Sequence, residues 1–298
     1  MLPTIRQLHY LKLLAEHGSF GRAAEAAHVT QPTLSAGIQE LERTLGGPVV
    51  DRARSGVILT AMGEVALAKA HTILNEAEEL VEAAKNAGQP LTGRFRLGVI
   101  PTIAPFLLPR ALPLLRAQFP KLRLFLREDL TQRLIAALKA GQLDAALIAL
   151  PYDMTGLAWD HVSDDELLAA APAGHPIVRG PTVAAAEIDG DELILLEDGH
   201  CLRDHVLNSC GVSPSRTLAK EESFAATSLP TLVQMVGSGL GLTFLPAMAI
   251  DAGLIGNTPV TIRPLAEGHP SREIVVAWRA GSSRSTEGRL LAATLRNA

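Results

Sequence analysis

The chain has 298 residues, 47% apolar and 19% charged, with two cysteines and a formal charge of −4 from 27 Lys and Arg against 31 Asp and Glu. This leaves room for two or three domains and excludes a disordered or collagenous chain, a disulfide-built secreted scaffold, and nucleic-acid binding through a global positive field. No run of about 18 apolar residues occurs and Met1-Leu2-Pro3-Thr4 leads straight into polar residues, so the expectation is an unsecreted chain with no membrane partner.

The first helix is marked by Ile5, Leu8, Leu11 and Ala15 behind a Thr4 cap. Ser19 heads a second over 20–27, where Ala23, Ala24 and Ala27 allow close helix approach, and His28-Val29-Thr30 turns the chain sharply. A third starts at Gln31, with Thr30 as N-cap, Pro32 in the first turn and Leu34, Ile38, Leu41 and Leu45 on one face. The pattern is that of a helix-turn-helix whose second helix enters a major groove, with Gln31, Thr33 and Ser35 toward base edges. Arg52 and Arg54, before a Ser55-Gly56 turn and Val57-Ile58-Leu59, read as a hairpin wing with phosphate-contacting arginines. An ordinary three-helix bundle remains the alternative, because residues 1–60 hold six basic residues (6, 12, 22, 43, 52, 54) against five acidic ones (16, 25, 40, 42, 51).

Thr60 can cap a long helix over 61–87 with a heptad stripe of Ala66, Ala70, Ile73, Ala77, Leu80, Ala84 and Ala87. Dimerisation through this stripe is preferred over packing on its own domain, since Gly88-Gln89-Pro90 and Gly93 isolate the segment. From Arg94 strands and helices alternate (95–100, 107–119, 122–126, 132–140, 145–150), which predicts a parallel α/β domain. Thr102 and Thr131 follow its first two strands, where each can cap the next helix or face a ligand. A second α/β unit runs from about Glu166 to Leu265, with strands at 193–196 and 240–245 and a helix at 228–236, and Ile274–Trp278 returns to the first sheet. Gly237-Ser238-Gly239-Leu240-Gly241 ends a helix and enters a strand, the reverse of a dinucleotide fingerprint.

The distinctive segment is 195–210, in which a helix opens near His200. Cys201 then sits in a first turn beside His200 and Arg203, an environment that favours thiolate, which can attack a peroxide and be resolved by a second thiol as a disulfide. In one regular helix nine residues separate the Cα atoms of Cys201 and Cys210 by about 13 Å, against the limit of about 7 Å for a disulfide, so bonding requires the helix to rearrange. Two inert core cysteines, or a zinc site of Cys201, His205, Cys210 and His200, are the alternatives.

Ser19-Phe20 with Ala23-Ala24, Val29-Thr30-Gln31-Pro32-Thr33-Leu34-Ser35, Ile38, Leu41-Glu42, Leu45-Gly46 and Leu59-Thr60 resemble the LysR-type transcriptional regulators. Leu196-Glu197-Asp198-Gly199-His200-Cys201-Leu202-Arg203-Asp204 with Cys210, and Ile100-Pro101-Thr102 with Leu107-Leu108-Pro109, are similar to the hydrogen-peroxide sensors of that family; Val50 departs from the usual aromatic residue. The resemblance implies an α/β fold with an all-α N-terminal winged helix-turn-helix: a DNA-binding domain over 1–60 with Gln31, Pro32, Thr33, Ser35, Arg52 and Arg54 at DNA, and a linker helix over 61–90. An effector domain over 91–298 would follow, with two Rossmann-like, periplasmic-binding-protein-like subdomains (91–165 with 266–298, and 166–265). It further implies Cys201 as peroxidatic and Cys210 as resolving thiol, with Thr102, Thr131, His200, Arg203, Asp204 and Arg279 as the peroxide pocket, and no metal or cofactor. The implied protein is a cytoplasmic homotetramer, a dimer of dimers, that is an activator and not an enzyme. Its partners would be double-stranded promoter DNA, hydrogen peroxide, RNA polymerase, and glutaredoxin or thioredoxin as reductant. Two other functions stay open: a regulator with a small metabolite in the interdomain cleft and passive cysteines, and a thiol peroxidase.

Overall fold

The computed structural model describes residues 2–53, 56–85, 89–184, 187–210, 225–266 and 270–298. The chain divides into two compact units, 1–89 with 139–142, and the remainder. Among the described residues no helix is long and apolar enough to cross a membrane.

In the first unit α1 (Ile5–His17) opens on a capping box: the Gln7 N–H donates to Thr4 Oγ1 at 3.3 Å and the Thr4 N–H to Gln7 Oε1 at 2.8 Å. It stops at Gly18, whose φ of 61° a side-chain-bearing residue would adopt only under strain. Ser19 stands at the N-cap of α2 (Phe20–Ala26) but makes no side-chain cap bond. α3 (Gln31–Leu45) has both expected starting devices, Thr30 as cap and Pro32 in the first turn. Leu8, Leu11, Leu14, Ala23, Ala24, Leu34, Ile38 and Leu41 bury one another in the resulting core. Its tightness is visible at Gly37, where a Cβ would fall 2.7 Å from the Tyr10 ring. The wing strands β1 (Val50–Ala53) and β2 (Gly56–Leu59) pair antiparallel. Thr60 then starts α4 (Ala61–Lys85), accepting from the Gly63 N–H at 3.0 Å while its hydroxyl donates to the Pro48 carbonyl at 2.7 Å. Gly63 is required there, because a Cβ would collide with the Val49 carbonyl. Ala70 and Leu74 pack into the core, so the expected heptad stripe divides: its first part lies on its own unit, while Ile73 and Leu80 face outward. Ala87 lies outside the described residues.

In the second unit β3 (Gly93–Val99) pairs in parallel with β4 (Leu122–Glu128) and β5 (Ala145–Leu150), and α5 (Ala104–Gln118) and α6 (Thr131–Lys139) connect them. β9 (Ser271–Arg279) returns antiparallel to β5, as the apolar 274–278 run predicts. The sequence reading omitted β6 (Leu157–Pro172), a strand of 16 residues. Its middle, Asp164-Asp165-Glu166, is acidic enough to pass for a loop. β9 pairs along it as far as Glu166, and from Leu167 it exchanges that partner for β7 (Thr243–Pro246) and β8 (Val260–Arg263). Two apolar clusters follow, one between the first sheet and α5, α6 and α10 (Ser285–Leu295), the other around β7, α7 (Cys201–Cys210), α8 (Leu229–Gly237) and α9 (Ala247–Asp251). The expected strand at Leu193–Leu196 makes only isolated bridges, to Leu242 and Ala226.

Candidate functional site

At the N-terminus of α3 Gln31, Pro32 and Thr33 are exposed and Ser35 is half-buried. Leu34 and Ile38, fully buried on the opposite side, fix which face looks outward. The Thr30 and Thr33 hydroxyls lie 2.7 Å apart, which holds the first turn. Arg54 and the side chain of Arg52 lie outside the described residues.

The two threonines do not cap. The N-cap position of α5 is Ile103, without a side-chain bond, and Thr102 Oγ1 instead accepts from Arg272 Nη1 at 2.7 Å. Thr131, the first residue of α6, is fully buried and its Oγ1 has no partner in full hydrogen-bond geometry. The Thr131 hydroxyl lies beside Cys201, and that of Thr102 reaches the same neighbourhood only through Arg272.

Cys201 opens α7. Gly199, at φ 95°, makes the turn that aims the helix, and a Cβ there would stand 2.9 Å from Leu130 Cδ1. Cys201 is 3% exposed and packs in the first apolar cluster, whereas Leu202, Val206 and Leu207 pack in the second. α7 therefore lies along the seam between the two subdomains. His205, one turn on from Cys201, also faces the first subdomain, with Nε2 2.7 Å from the Leu150 carbonyl.

Arg272 supplies the charge of this site. Its side chain is fully buried; Nε and Nη2 donate to Asp165 Oδ2 at 3.0 and 2.9 Å, and Nη2 also to the Thr102 carbonyl at 2.9 Å. Burial pushes the Cys201 thiol above its ordinary pKa. The Arg272 guanidinium, the Thr131 hydroxyl and the Leu202 N–H act in the opposite direction, and Asp204 adds to the rise. The half-buried Tyr152 belongs to the same neighbourhood: burial raises its phenol, the nearby Cys201 and Asp204 raise it further, and the Thr131 hydroxyl opposes them.

The charges expected beside the thiol from sequence are differently disposed. Arg203 turns to Asp198 Oδ1 at 2.9 Å and to the Leu196 carbonyl at 3.2 Å. Burial lowers the pKa of His200, and also of His205, which favours the neutral imidazole at each position. Asp204 is exposed. Arg279 stands at the far end of β9, paired with Leu157 and seven residues from Arg272, or about 23 Å along the strand. The structure thus brings Thr102 and Cys201 to Arg272, sets Thr131 beside Cys201, and leaves Arg279 outside. Sequence reasoning missed Arg272, Asp165 and Tyr152, because Asp165 and Arg272 lie 107 positions apart and meet only through the β6–β9 register. The one local signal is a charged pair, Arg272-Glu273, leading an otherwise apolar strand. α7 runs unbroken from Cys201 to Cys210, and the Cys210 side chain lies outside the described residues. Among the described residues no cluster of three or more His, Cys, Asp or Glu is arranged to hold a metal.

Residues 5–64 match the family described as "Bacterial regulatory helix-turn-helix protein, lysR family", and residues 88–298 match "LysR substrate binding domain". The chain is 39% identical over 287 residues to the HTH-type transcriptional regulator EstR of Acinetobacter baylyi, covering 96% of this chain and 94% of that one. It is 37% identical over 292 residues to the DNA-binding transcriptional dual regulator OxyR of Escherichia coli, covering 98% and 94%. A full-length OxyR from Pseudomonas aeruginosa, carrying a cysteine-to-aspartate substitution, superposes with a TM-score of 0.79 at 34% identity over 99% of this chain and 98% of that one. A cysteine-to-serine mutant of Corynebacterium glutamicum OxyR, described as H2O2-bound, gives 0.68 at 32% identity over 100% and 92%. With a helical DNA-reading unit, a two-subdomain α/β unit and both matches spanning nearly its whole length, the chain belongs to the LysR family of transcriptional regulators.

Proposed function

We propose that this protein is a transcriptional activator that senses hydrogen peroxide through Cys201, stores the signal as a Cys201–Cys210 disulfide and turns on antioxidant genes. The observation that carries this reading is the convergence on one buried thiol of a fixed guanidinium, the Thr131 hydroxyl and the Leu202 N–H in the first turn of α7. The thiolate attacks one oxygen of the peroxide; the S–O bond forms as the O–O bond breaks, and the departing hydroxide takes a proton to become water. Arg272 offsets the negative charge on sulfur in a setting whose low polarity strengthens it, and the Thr131 hydroxyl is available to the peroxide. Thr102 steadies Arg272, and His200, Arg203 and Asp204 border the same ground. The Cys210 thiolate then attacks the sulfenic sulfur, an S–S bond replacing S–O with loss of water. Nine helical residues hold the two Cα atoms about 13 Å apart, so closing that bond dismantles α7.

The output is a change in DNA engagement. Gln31, Pro32, Thr33 and Ser35 meet bases in the major groove, Arg52 and Arg54 meet phosphates, and α4 joins two copies into the dimer from which a tetramer is built. RNA polymerase reads the result at promoter DNA, and glutaredoxin or thioredoxin returns the thiols. Domain limits of 1–60, 61–90 and 91–298 suit these roles.

The test is Cys201→Ser in the full chain. It is expected to abolish peroxide-induced promoter activation, and mass spectrometry of treated native protein is expected to find the Cys201–Cys210 disulfide; a variant that still responds refutes the thiol mechanism. The likeness to EstR, whose name carries no peroxide, favours a second reading in which a metabolite binds between the subdomains. Thr102, already committed to Arg272, speaks against it.

A further inference from the structure

A thiol that is 3% exposed needs a route by which its oxidant arrives. On the surface next to the seam lies an open groove of about 500 Å³ walled by Leu150, Tyr152, Met154, Thr155, Trp159 and Glu273. Two of these residues lead inward. Leu150 is held through its carbonyl by His205, one helical turn from Cys201. Tyr152 lines the groove and also packs against the apolar cluster that contains Cys201, with its hydroxyl beside that of Thr131. Tyr152 is therefore common to the groove and to the surroundings of the thiol. Trp159, 46% exposed, and the exposed Thr155 stand at the outer rim.

We propose that this groove is the access route to Cys201 and that the Tyr152 ring, at its inner end, is a size filter that passes hydrogen peroxide and turns away organic hydroperoxides. The inference rests on the peroxide reading above and adds to it the basis of oxidant selectivity. The bonds exchanged are the same for both oxidants: an alkyl hydroperoxide would give the same sulfenic acid, with an alcohol in place of water, so nothing in the electron balance discriminates between them. Selection must come from shape. Hydrogen peroxide is scarcely larger than water and can pass a ring that swings aside transiently, as half-buried side chains do. A hydroperoxide bearing a phenyl group needs the ring to be gone. The ring sets the width of the passage, and its packing against the apolar cluster that contains Cys201 keeps it in place.

The experiment measures single-turnover modification of Cys201 in the full chain, by peptide mass spectrometry, with two pairs of reagents. One pair is hydrogen peroxide and cumene hydroperoxide; the other is iodoacetamide and N-benzylmaleimide, which report access without peroxide chemistry. Tyr152→Ala is expected to raise the large-to-small rate ratio at least about tenfold in both pairs, and Tyr152→Phe, which keeps the ring, to leave it near the native value. Thr155→Trp, at an exposed position on the rim, is expected to slow all four reagents by filling the groove. An unchanged ratio in Tyr152→Ala, or native rates in Thr155→Trp, overturns the proposal. A native Cys201 inert to hydrogen peroxide, with the alkylation ratio still shifted by Tyr152→Ala, would leave the filter standing and remove the peroxide function instead.

Discussion

Thr131 carries a fully buried hydroxyl that meets no partner in full hydrogen-bond geometry, and a buried hydroxyl so poorly served ordinarily costs a fold up to about 1–3 kcal/mol. Replacing it by a near-isosteric apolar side chain tests what it is kept for. Thr131→Val is expected to melt at or above the native temperature while Cys201 is alkylated more slowly at neutral pH, because one of the groups that favours its thiolate has gone. A variant that loses stability and keeps native thiol reactivity would assign the hydroxyl to packing alone. The buried histidines give a second prediction. Burial lowers the pKa of His200 and His205 from 6.5, so below that value the unfolded chain binds protons that the folded chain refuses. Stability is thus undiminished above pH 6.5 and falls as pH drops through the lower folded values. Urea midpoints at pH 8 and pH 5.5 measure the fall, and His205→Gln, which keeps a donor for the Leu150 carbonyl, is expected to lessen it.

At the scale of elements, α4 shows two faces. Gly63, Ala70 and Leu74 pack inward, while Met62, Val65, Ile73 and Leu80 are 41%, 66%, 44% and 72% exposed and lie about 100° round the helix from them. A row of solvated apolar side chains on one face suits a matching row, and we propose that a second copy of α4 supplies it. Leu80→Glu is expected to shift the protein toward monomer in sedimentation equilibrium without lowering its melting temperature; an unaltered association state would move the dimer contact elsewhere. The N-terminal helices were legible because caps, glycine stops and apolar spacing are local signals, as at Thr4, Thr30 and Gly46. The parallel core was legible from its alternation. β6 was not, since Asp165 looks like a loop residue until Arg272 is opposite it. Thr102 and Thr131 could be named from their places after strands. That one steadies an arginine and the other faces a thiol depends on residues contributed by β9 and α7, and no spacing encodes that encounter.

For the whole molecule, the decisive feature is which parts can move. Oxidation is expected to raise amide hydrogen exchange across 201–210 sharply while β6 and β9 keep their protection, since the proposed disulfide demands a new path for α7 and none for the long strands. Exchange that rises equally in all three would point to general loosening and not to a switch. Binding to promoter duplex should weaken steeply with salt, as contacts to phosphate require, and its midpoint should differ between reduced and peroxide-treated protein. β6 belongs to both sheets without a break, its first ten residues to one and its last six to the other. Each half thus holds its own end of one strand in a fixed ladder, and the two sheets share that strand as their connection. Under the proposed mechanism the message is the refolding of α7, a segment packed into both apolar clusters, against that shared frame, which ties it to a covalent event.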